Sequence, residues 1–142
     1  MLAGPLALVV AALFAGAALY VSSVEQPARL SLDIHAALAE WRPAYKGGTA
    51  MQAPLAAIGF LLGALAWWQT REPLFGVGAL AMIANWPWTL LAIMPVNRKL
   101  MKDDAARTDS QTRALLEKWG RLHAVRTGFG LLATLAFLWA LA

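Results

Sequence analysis

The sequence contains no cysteine, which excludes disulfide bonds, thiolate nucleophiles and cysteine metal ligands. It also lacks a glycine-rich phosphate-binding loop, a Ser–His–Asp set and the charge ladder of a proton pump. Charged residues make up only 14% of the 142 residues, and the segments 1–24, 47–70 and 73–97 contain no Asp, Glu, Lys or Arg. A soluble domain of this length has no need of three such segments, so these absences indicate an integral membrane protein.

Each uncharged segment is as long as the roughly 20 residues that a helix needs to cross a bilayer. A fourth apolar segment, 127–142, is too short to cross unless it extends back through Arg126 and His123. The sequence therefore predicts an all-α membrane protein, a four-transmembrane-helix bundle that forms a single transmembrane domain. The predicted helices cover residues 2–24, 49–69, 73–96 and 122–142.

The cations are distributed very unevenly about these helices. Of the 12 Lys and Arg residues, only Arg71 lies in the tight turn between helices 2 and 3, and the others lie in or beside the long loops 25–48 and 97–121. The positive-inside rule then places both long loops in the cytoplasm and both termini outside, and we expect a bacterial inner membrane. Residues 1–24 lack the basic start of a signal peptide, so we expect them to remain as helix 1.

The long loops show helical patterns of their own. Apolar residues recur at helical spacing over 28–42, which predicts a short interfacial helix that ends at Pro43. In the second loop, Thr108 or Asp109 can cap a helix that continues into helix 4, so helix 4 is predicted to extend into the cytoplasm. Within the membrane, the small pair Gly59 and Gly63 predicts close helix packing.

One face of helix 4 carries the first candidate site. Trp119, His123 and Arg126 fall within about 60° of one another at 100° per residue. An ionisable group at membrane depth usually has a partner and a function. Glu25, the first charge after helix 1, lies at the same membrane border, and we predict that Arg126 contacts Glu25 or Asn97. The alternative is that Arg126 extends to lipid phosphates and that His123 is an interface residue.

Helix 3 carries the second candidate. Asn85 and Thr89 share a face at mid-membrane, flanked by Trp86 and Trp88, and Pro87 bends the helix between them. Polar side chains at this depth either bond to a neighbouring helix or line a cavity. The motif is thus either contact between helices with packing rings, or an aromatic pocket that opens towards Asn97 and His123.

Partners and cofactors follow from the same composition. A metal site would have to use His123, His35 and Glu25, a set without diagnostic spacing, so we expect no cofactor. The net charge of +4 belongs to loops beside the membrane, so we expect no nucleic-acid partner. The expected partners are the lipid bilayer, an apolar small molecule, and further copies of the chain or a larger membrane complex.

Taken together, these motifs resemble a known family. Pro87-Trp88-Thr89, Pro95-Val96-Asn97 and Leu100, followed by Trp119, His123 and Arg126, are similar to the anthrone-oxygenase-like membrane family, which has many bacterial members of unknown function. The resemblance implies four membrane spans and, in the few members with assigned roles, oxygenation of a polycyclic anthrone to an anthraquinone. A shared fold does not by itself transfer the substrate.

The resemblance also implies roles for the candidate residues. An anthrone has an acidic benzylic CH, and the carbanion formed from it can reduce dioxygen without a flavin or a metal. Such a site needs aromatic walls, a base and a cation for the oxyanion. The implied walls are Trp86, Trp88 and Trp41, the implied base is His123, the implied oxyanion ligands are Arg126 and Asn97, and Glu25 would orient the imidazole or neutralise the arginine. The alternative is a non-catalytic membrane subunit or a lipid- or quinone-binding module whose polar cluster is structural.

Overall fold

A computed structural model describes all residues of the chain and consists of four long helices without strands. They are α1 (Ala3–Leu30), α2 (Ile34–Thr70), α3 (Pro73–Met101) and α4 (Asp109–Leu141). Each of the four is long and apolar enough to cross a membrane. The predicted four-helix membrane bundle is therefore confirmed.

The helices form a square in which α1 and α3 each pack against both α2 and α4, while the diagonal pairs touch little. The connections are short, with turns at 31–33 and 71–72 and a loop over 102–108. Such connections place consecutive helices antiparallel. The carboxyl ends of α1 and α3 and the amino ends of α2 and α4 therefore lie together at one end of the bundle.

Two apolar clusters fill the square, one towards each end. The cluster nearer the termini contains Phe14, Phe75, Met82 and Phe137 with many alanines. The other cluster contains Trp41, Ile93, Leu100, Leu116 and Trp119. The candidate site lies between the two clusters, where polar side chains interrupt the core.

Glycines allow the helices to approach closely in the first cluster. A Cβ at Gly59 would lie 2.6 Å from the terminal carbon of Met82, and one at Gly63 would lie 2.6 Å from the Phe137 ring. Gly78 is tighter still, because a Cβ there would lie 2.3 Å from the same ring. The predicted close packing around Gly59 and Gly63 is thus confirmed.

The ends of α1 and α2 differ from the prediction. α1 continues to Leu30, and α2 is one helix of 37 residues that contains Pro43. A proline removes one amide hydrogen and displaces the carbonyl four residues earlier, but Pro43 is exposed, so the freed carbonyl need not be buried. The predicted interfacial helix over 28–42 is therefore not separate. Residues 28–30 belong to α1 and residues 34–42 to α2. Asp33 caps the start of α2, and its Oδ1 accepts hydrogen bonds of 3.1 Å from two backbone amides.

The start of α4 agrees with the prediction. Thr108 caps the helix and forms a reciprocal capping box with Gln111, with bonds of 3.3 Å and 2.9 Å. α4 thus begins well before its apolar segment, as an extended helix 4 requires.

Two π-helical turns interrupt the helices near the centre of the bundle. They cover Val21–Glu25 in α1 and Thr89–Ile93 in α3. Each π turn ends two residues before a proline, Pro27 or Pro95. A proline has no amide hydrogen to donate to the helix, and its ring crowds the backbone carbonyl four residues earlier. Isolated π turns are frequent at functional sites, and both of these turns contribute residues to the cavities described below.

Candidate functional site

Arg126 is buried in α4, with 9% of its surface exposed, and it has no ion-pair partner. Its Nε has no hydrogen-bond partner, and its guanidinium carbon lies 5.5 Å from the centre of the Phe14 ring. The predicted contact of Arg126 with Glu25 or Asn97 is therefore wrong. A buried charge that the protein leaves unpaired is costly, so it calls for an explanation.

Glu25 pairs with a different arginine. Arg29, only 2% exposed, forms ion pairs with Glu25 and with Glu40, and its Nη1 donates a 2.6 Å hydrogen bond to Gln26. The sequence interpretation missed this cluster because it ended helix 1 before Arg29. Once α1 continues to Leu30, Glu25 and Arg29 lie one turn apart on the same face.

His123 contacts an aromatic ring and the hydroxyl group of Ser22, which is in turn bonded to Thr127. Its imidazole stacks on the indole of Trp119, with ring centres 5.0 Å apart and planes inclined by 29°. Its Nδ1 lies 3.3 Å from Oγ of Ser22, which is 2.9 Å from Oγ1 of Thr127. Arg29 completes the stack, with its guanidinium 5.4 Å from the Trp119 ring centre. Sequence reasoning missed Ser22 and Thr127, whose only signal was a hydroxyl group within an apolar helix.

A small polar cavity lies beside His123 and is called the polar cavity below. Its volume is about 30 Å³, which is enough for one or two water molecules and too little for an aromatic ring. Its polar lining consists of Glu25, Tyr45, Thr49, Gln52, His123 and Arg126. Gln52 is buried there, and its Oε1 has no hydrogen-bond partner.

A larger cavity opens between α2 and α3 and is called the lateral cavity below. Its volume is about 230 Å³, and its lining consists of Thr49, Ala53, Asn85, Trp86, Thr89, Leu90, Met94 and Arg126. Thr49 and Arg126 line both cavities, so these two side chains separate the polar cavity from the lateral one. Arg126, a cation without an ion-pair partner, therefore lies where the lateral cavity meets the polar cavity.

Asn85, Trp86 and Thr89 of the predicted helix 3 site therefore meet Arg126 in one cavity. This cavity reaches Arg126 rather than His123 or Asn97. Asn97 is buried elsewhere, with both amide atoms unpartnered.

Of the other predicted tryptophans, Trp119 lines the polar cavity, whereas Trp88 and Trp41 line neither cavity. Trp88 is half-buried and donates a 2.9 Å hydrogen bond to the carbonyl of Leu122. Trp41 is fully buried, stacked on Tyr45 at 5.0 Å and edge-on to Trp119 at 6.0 Å. Both belong to the packing of the second apolar cluster.

The two histidines lie apart. The imidazole of His35 is 85% exposed and lies 3.7 Å from a carboxylate oxygen of Asp109, whereas His123 is buried in the bundle. No group of three or more His, Cys, Asp or Glu side chains is placed to hold a metal ion, so His123, His35 and Glu25 are not brought together. The expectation that the protein uses no cofactor remains a prediction.

Comparison with known proteins identifies the family. The sequence model of the family described as anthrone oxygenase matches residues 41–136. The chain therefore belongs to the anthrone oxygenase family, and the match includes Asn85, Trp86, His123 and Arg126 but not Glu25. No curated protein and no solved structure matches the chain.

Proposed function

We propose that this member of the anthrone oxygenase family oxygenates an apolar aromatic or quinol-like molecule held in the lateral cavity, without a bound cofactor. The observation that carries the proposal is the position of Arg126. Its Nε has no hydrogen-bond partner, the guanidinium forms no ion pair, and Arg126 lines both the lateral cavity and the polar cavity. Such a cation is suited to stabilise a negative charge that forms on a substrate.

The reaction for an anthrone balances with dioxygen as the only oxidant. A base removes a benzylic proton, and the resulting carbanion is conjugated with the carbonyl, so the charge is carried largely on oxygen as an enolate. The carbanion gives its electrons to dioxygen, and a carbon–oxygen bond forms. Loss of water from the resulting hydroperoxide gives the second carbonyl. One anthrone and one dioxygen therefore yield one anthraquinone and one water.

Arg126 would stabilise the enolate oxygen, because a cation in an apolar, water-poor cavity interacts more strongly with a developing charge than it does in water. Trp86 supplies an aromatic wall to the same cavity. Asn97 lies away from both cavities, so the structure gives no support for its role at the oxyanion.

His123 would serve as the base through water. Its imidazole lies on the polar cavity, which has room for the bridging molecule that a general base can use. The proton would pass from the substrate, beside Thr49 and Arg126, to this water and then to His123. Ser22 holds the imidazole at Nδ1, which leaves Glu25 free of the orienting role and paired with Arg29.

A second candidate is a quinone-binding module without turnover. The observation in its favour is that the cavity beside His123 has a volume of only about 30 Å³, so an aromatic ring cannot reach the imidazole directly. In that case the lateral cavity would bind a ligand and His123 would have a structural role.

Oxygen consumption separates the two candidates. We would place the purified protein in lipid nanodiscs with anthrone and follow dioxygen uptake together with anthraquinone absorbance, using empty nanodiscs to measure uncatalysed oxidation. We expect equimolar dioxygen uptake and anthraquinone formation. His123→Gln should lower the rate by about 10²–10⁴-fold while the protein keeps its Tm and still binds anthrone.

Leu132→Ala is the matched control on α4, because Leu132 is 49% exposed on the outer surface of the bundle. It should leave the rate unchanged. Anthrone binding without oxidation above the rate of empty nanodiscs would favour the binding module and reject the proposed reaction.

A further inference from the structure

We infer that a groove on the surface of the protein, between the end of α3 and the start of α4, binds the phosphate of an anionic phospholipid headgroup. It is called the basic groove below. Its charged lining consists of Lys99, Asp104, Arg107 and Lys118, and its volume is about 570 Å³. It shares no lining residue with the polar or the lateral cavity, so this site is independent of the proposed reaction.

The basic groove carries more positive than negative charge. Lys99, Arg107 and Lys118 supply three positive charges, and Asp104 supplies the one negative charge. Both lysines are exposed, and neither forms an ion pair. A neighbouring surface groove beside Arg42 is lined by three Lys or Arg and three Asp side chains, so its formal charges cancel. The excess of positive charge therefore distinguishes the basic groove as a site for an anion.

The arginine of the basic groove is held in place by the protein. Its Nε donates a 2.8 Å hydrogen bond to Oγ1 of Thr112, and its Nη1 donates a 2.6 Å hydrogen bond to the carbonyl of Lys99. Nη2 of Arg107 forms no hydrogen bond and is not covered by other atoms, so it is free to donate to a ligand. A guanidinium that is already ordered loses little freedom when it binds a phosphate.

The depth of the basic groove matches the headgroup layer of a bilayer. The uncharged segment of α3 ends at Asn97, two residues before Lys99, and the last exposed charge of α4 is Arg121, three residues after Lys118. At 1.5 Å per residue, both lysines lie within about 5 Å of the level at which the apolar surface ends. The headgroup layer on each side of the hydrocarbon is about 5–8 Å thick, so both ammonium groups can reach lipid phosphates.

A free phosphate ion has the same chemistry as a lipid phosphate, but the surroundings of the basic groove favour the lipid. The bilayer supplies headgroups at this depth at high local concentration. The half-buried side chain of Leu115 also lines the groove, and it offers an apolar contact that a lipid can use and an inorganic ion cannot. We therefore expect a lipid to bind more tightly than inorganic phosphate.

The test measures lipid binding to the full chain in a non-ionic detergent by native mass spectrometry. The probes are dioctanoyl-phosphatidylglycerol, which is anionic, and dioctanoyl-phosphatidylcholine, which is zwitterionic. We expect the anionic lipid to bind about tenfold more tightly and to resist a tenfold excess of inorganic phosphate. Equal affinities for the two lipids would overturn the inference. Displacement of the anionic lipid by that excess of inorganic phosphate would identify a site for a free ion and would also overturn it.

Two double variants test the location of the site. Lys99→Gln with Lys118→Gln should weaken binding of the anionic lipid by about 25-fold, at about fivefold for each lysine. Lys46→Gln with Arg98→Gln is the matched control, because it removes the same charge from exposed residues at the same end of the bundle but outside the groove. The control should keep its affinity within about twofold. Equal losses in both double variants would show that overall charge, rather than the basic groove, binds the lipid, and would overturn the inference.

Asp104→Asn should change the affinity in the opposite direction. Oδ1 of Asp104 accepts a 3.1 Å hydrogen bond from the backbone amide of Ala106, and an asparagine keeps that acceptor while it removes the negative charge from the groove. Binding of the anionic lipid should therefore become stronger. Weaker binding in this variant, with an unchanged Tm, would contradict a phosphate at this position.

Discussion

The guanidinium of Arg126 lies 5.5 Å from the ring centre of Phe14, and this cation–π contact is its one identified interaction with a side chain. Such a contact contributes about 0.5–2 kcal/mol, less than the several kcal/mol that burial of a charge costs. The protein thus keeps a charge that destabilises its own fold. This pattern is expected of a residue retained for a ligand.

Arg126→Leu is therefore expected to stabilise the empty protein. An apolar residue in place of an unpaired buried charge should raise the unfolding free energy by about 1–4 kcal/mol. The measurement is Tm in detergent without added ligand. A marked fall in Tm would show that Arg126 has a stabilising partner, such as a bound lipid, and would contradict its assignment as an unpaired site residue.

Arg29→Leu, the same substitution in the other buried arginine, should have the opposite effect. It leaves Glu25 and Glu40 without their cation and Gln26 without its donor. Loss of one partner from a buried pair costs about 3–5 kcal/mol, and the partial exposure of both glutamates lowers our expectation to about 2–3 kcal/mol. Tm should fall clearly, and an unchanged value would mean that this cluster contributes little to stability.

Gly78→Ala should destabilise the bundle. Its new methyl group would lie 2.3 Å from the Phe137 ring, so α3 and α4 must separate or the ring must leave its position. We expect a loss of about 1–3 kcal/mol, measured by thermal unfolding. Gly128→Ala is the control, since no heavy atom lies within 4 Å of the added group, and it should be neutral or slightly stabilising.

The orientation in the membrane can be tested in this cysteine-free chain by labelling single cysteines. Ser110 and Thr70 are both exposed at opposite ends of the bundle. With both long loops in the cytoplasm, Ser110→Cys should resist a membrane-impermeant reagent added to intact cells, and Thr70→Cys should react. The reverse pattern would overturn the orientation.

Much of the fold could be predicted from the sequence, because a membrane-spanning helix needs a run of about 20 apolar residues. Three uncharged segments identified α1, α2 and α3. The fourth apolar segment is too short to cross the membrane unless it also includes His123 and Arg126, and this requirement identified α4. The cap at Thr108 was predictable for a similar reason, because a capping side chain acts on backbone amides within its own turn.

The ends of the helices and the ion pairs were harder to predict from the sequence. Pro43 ends a helix only if its lost bond and displaced carbonyl cannot be accommodated, and that depends on its exposure in the bundle. Continuation of α1 past Pro27 in turn placed Arg29, rather than Arg126, beside Glu25. The π turns were missed although Pro27 and Pro95 offered a signal for them.

The sequence predicted several residues of the candidate site, but it did not predict how they are arranged around the two cavities. Arg126, Asn85 and Trp86 share one cavity, but the division into a polar and a lateral cavity depends on how α2 packs against α3. Residue spacing within one helix carries no information on the width of a gap between two helices. Thr49, which borders both cavities, therefore had no signal in the sequence.

The cluster around Arg29 has a consequence for biosynthesis. Glu25, Gln26, Arg29 and Glu40 all belong to the first two helices, so their bonds can form as soon as that hairpin has emerged from the ribosome. The hairpin can then enter the bilayer with its buried arginine already neutralised. Arg126 is translated after α1, α2 and α3, so its partner helices in the bundle precede it in the chain.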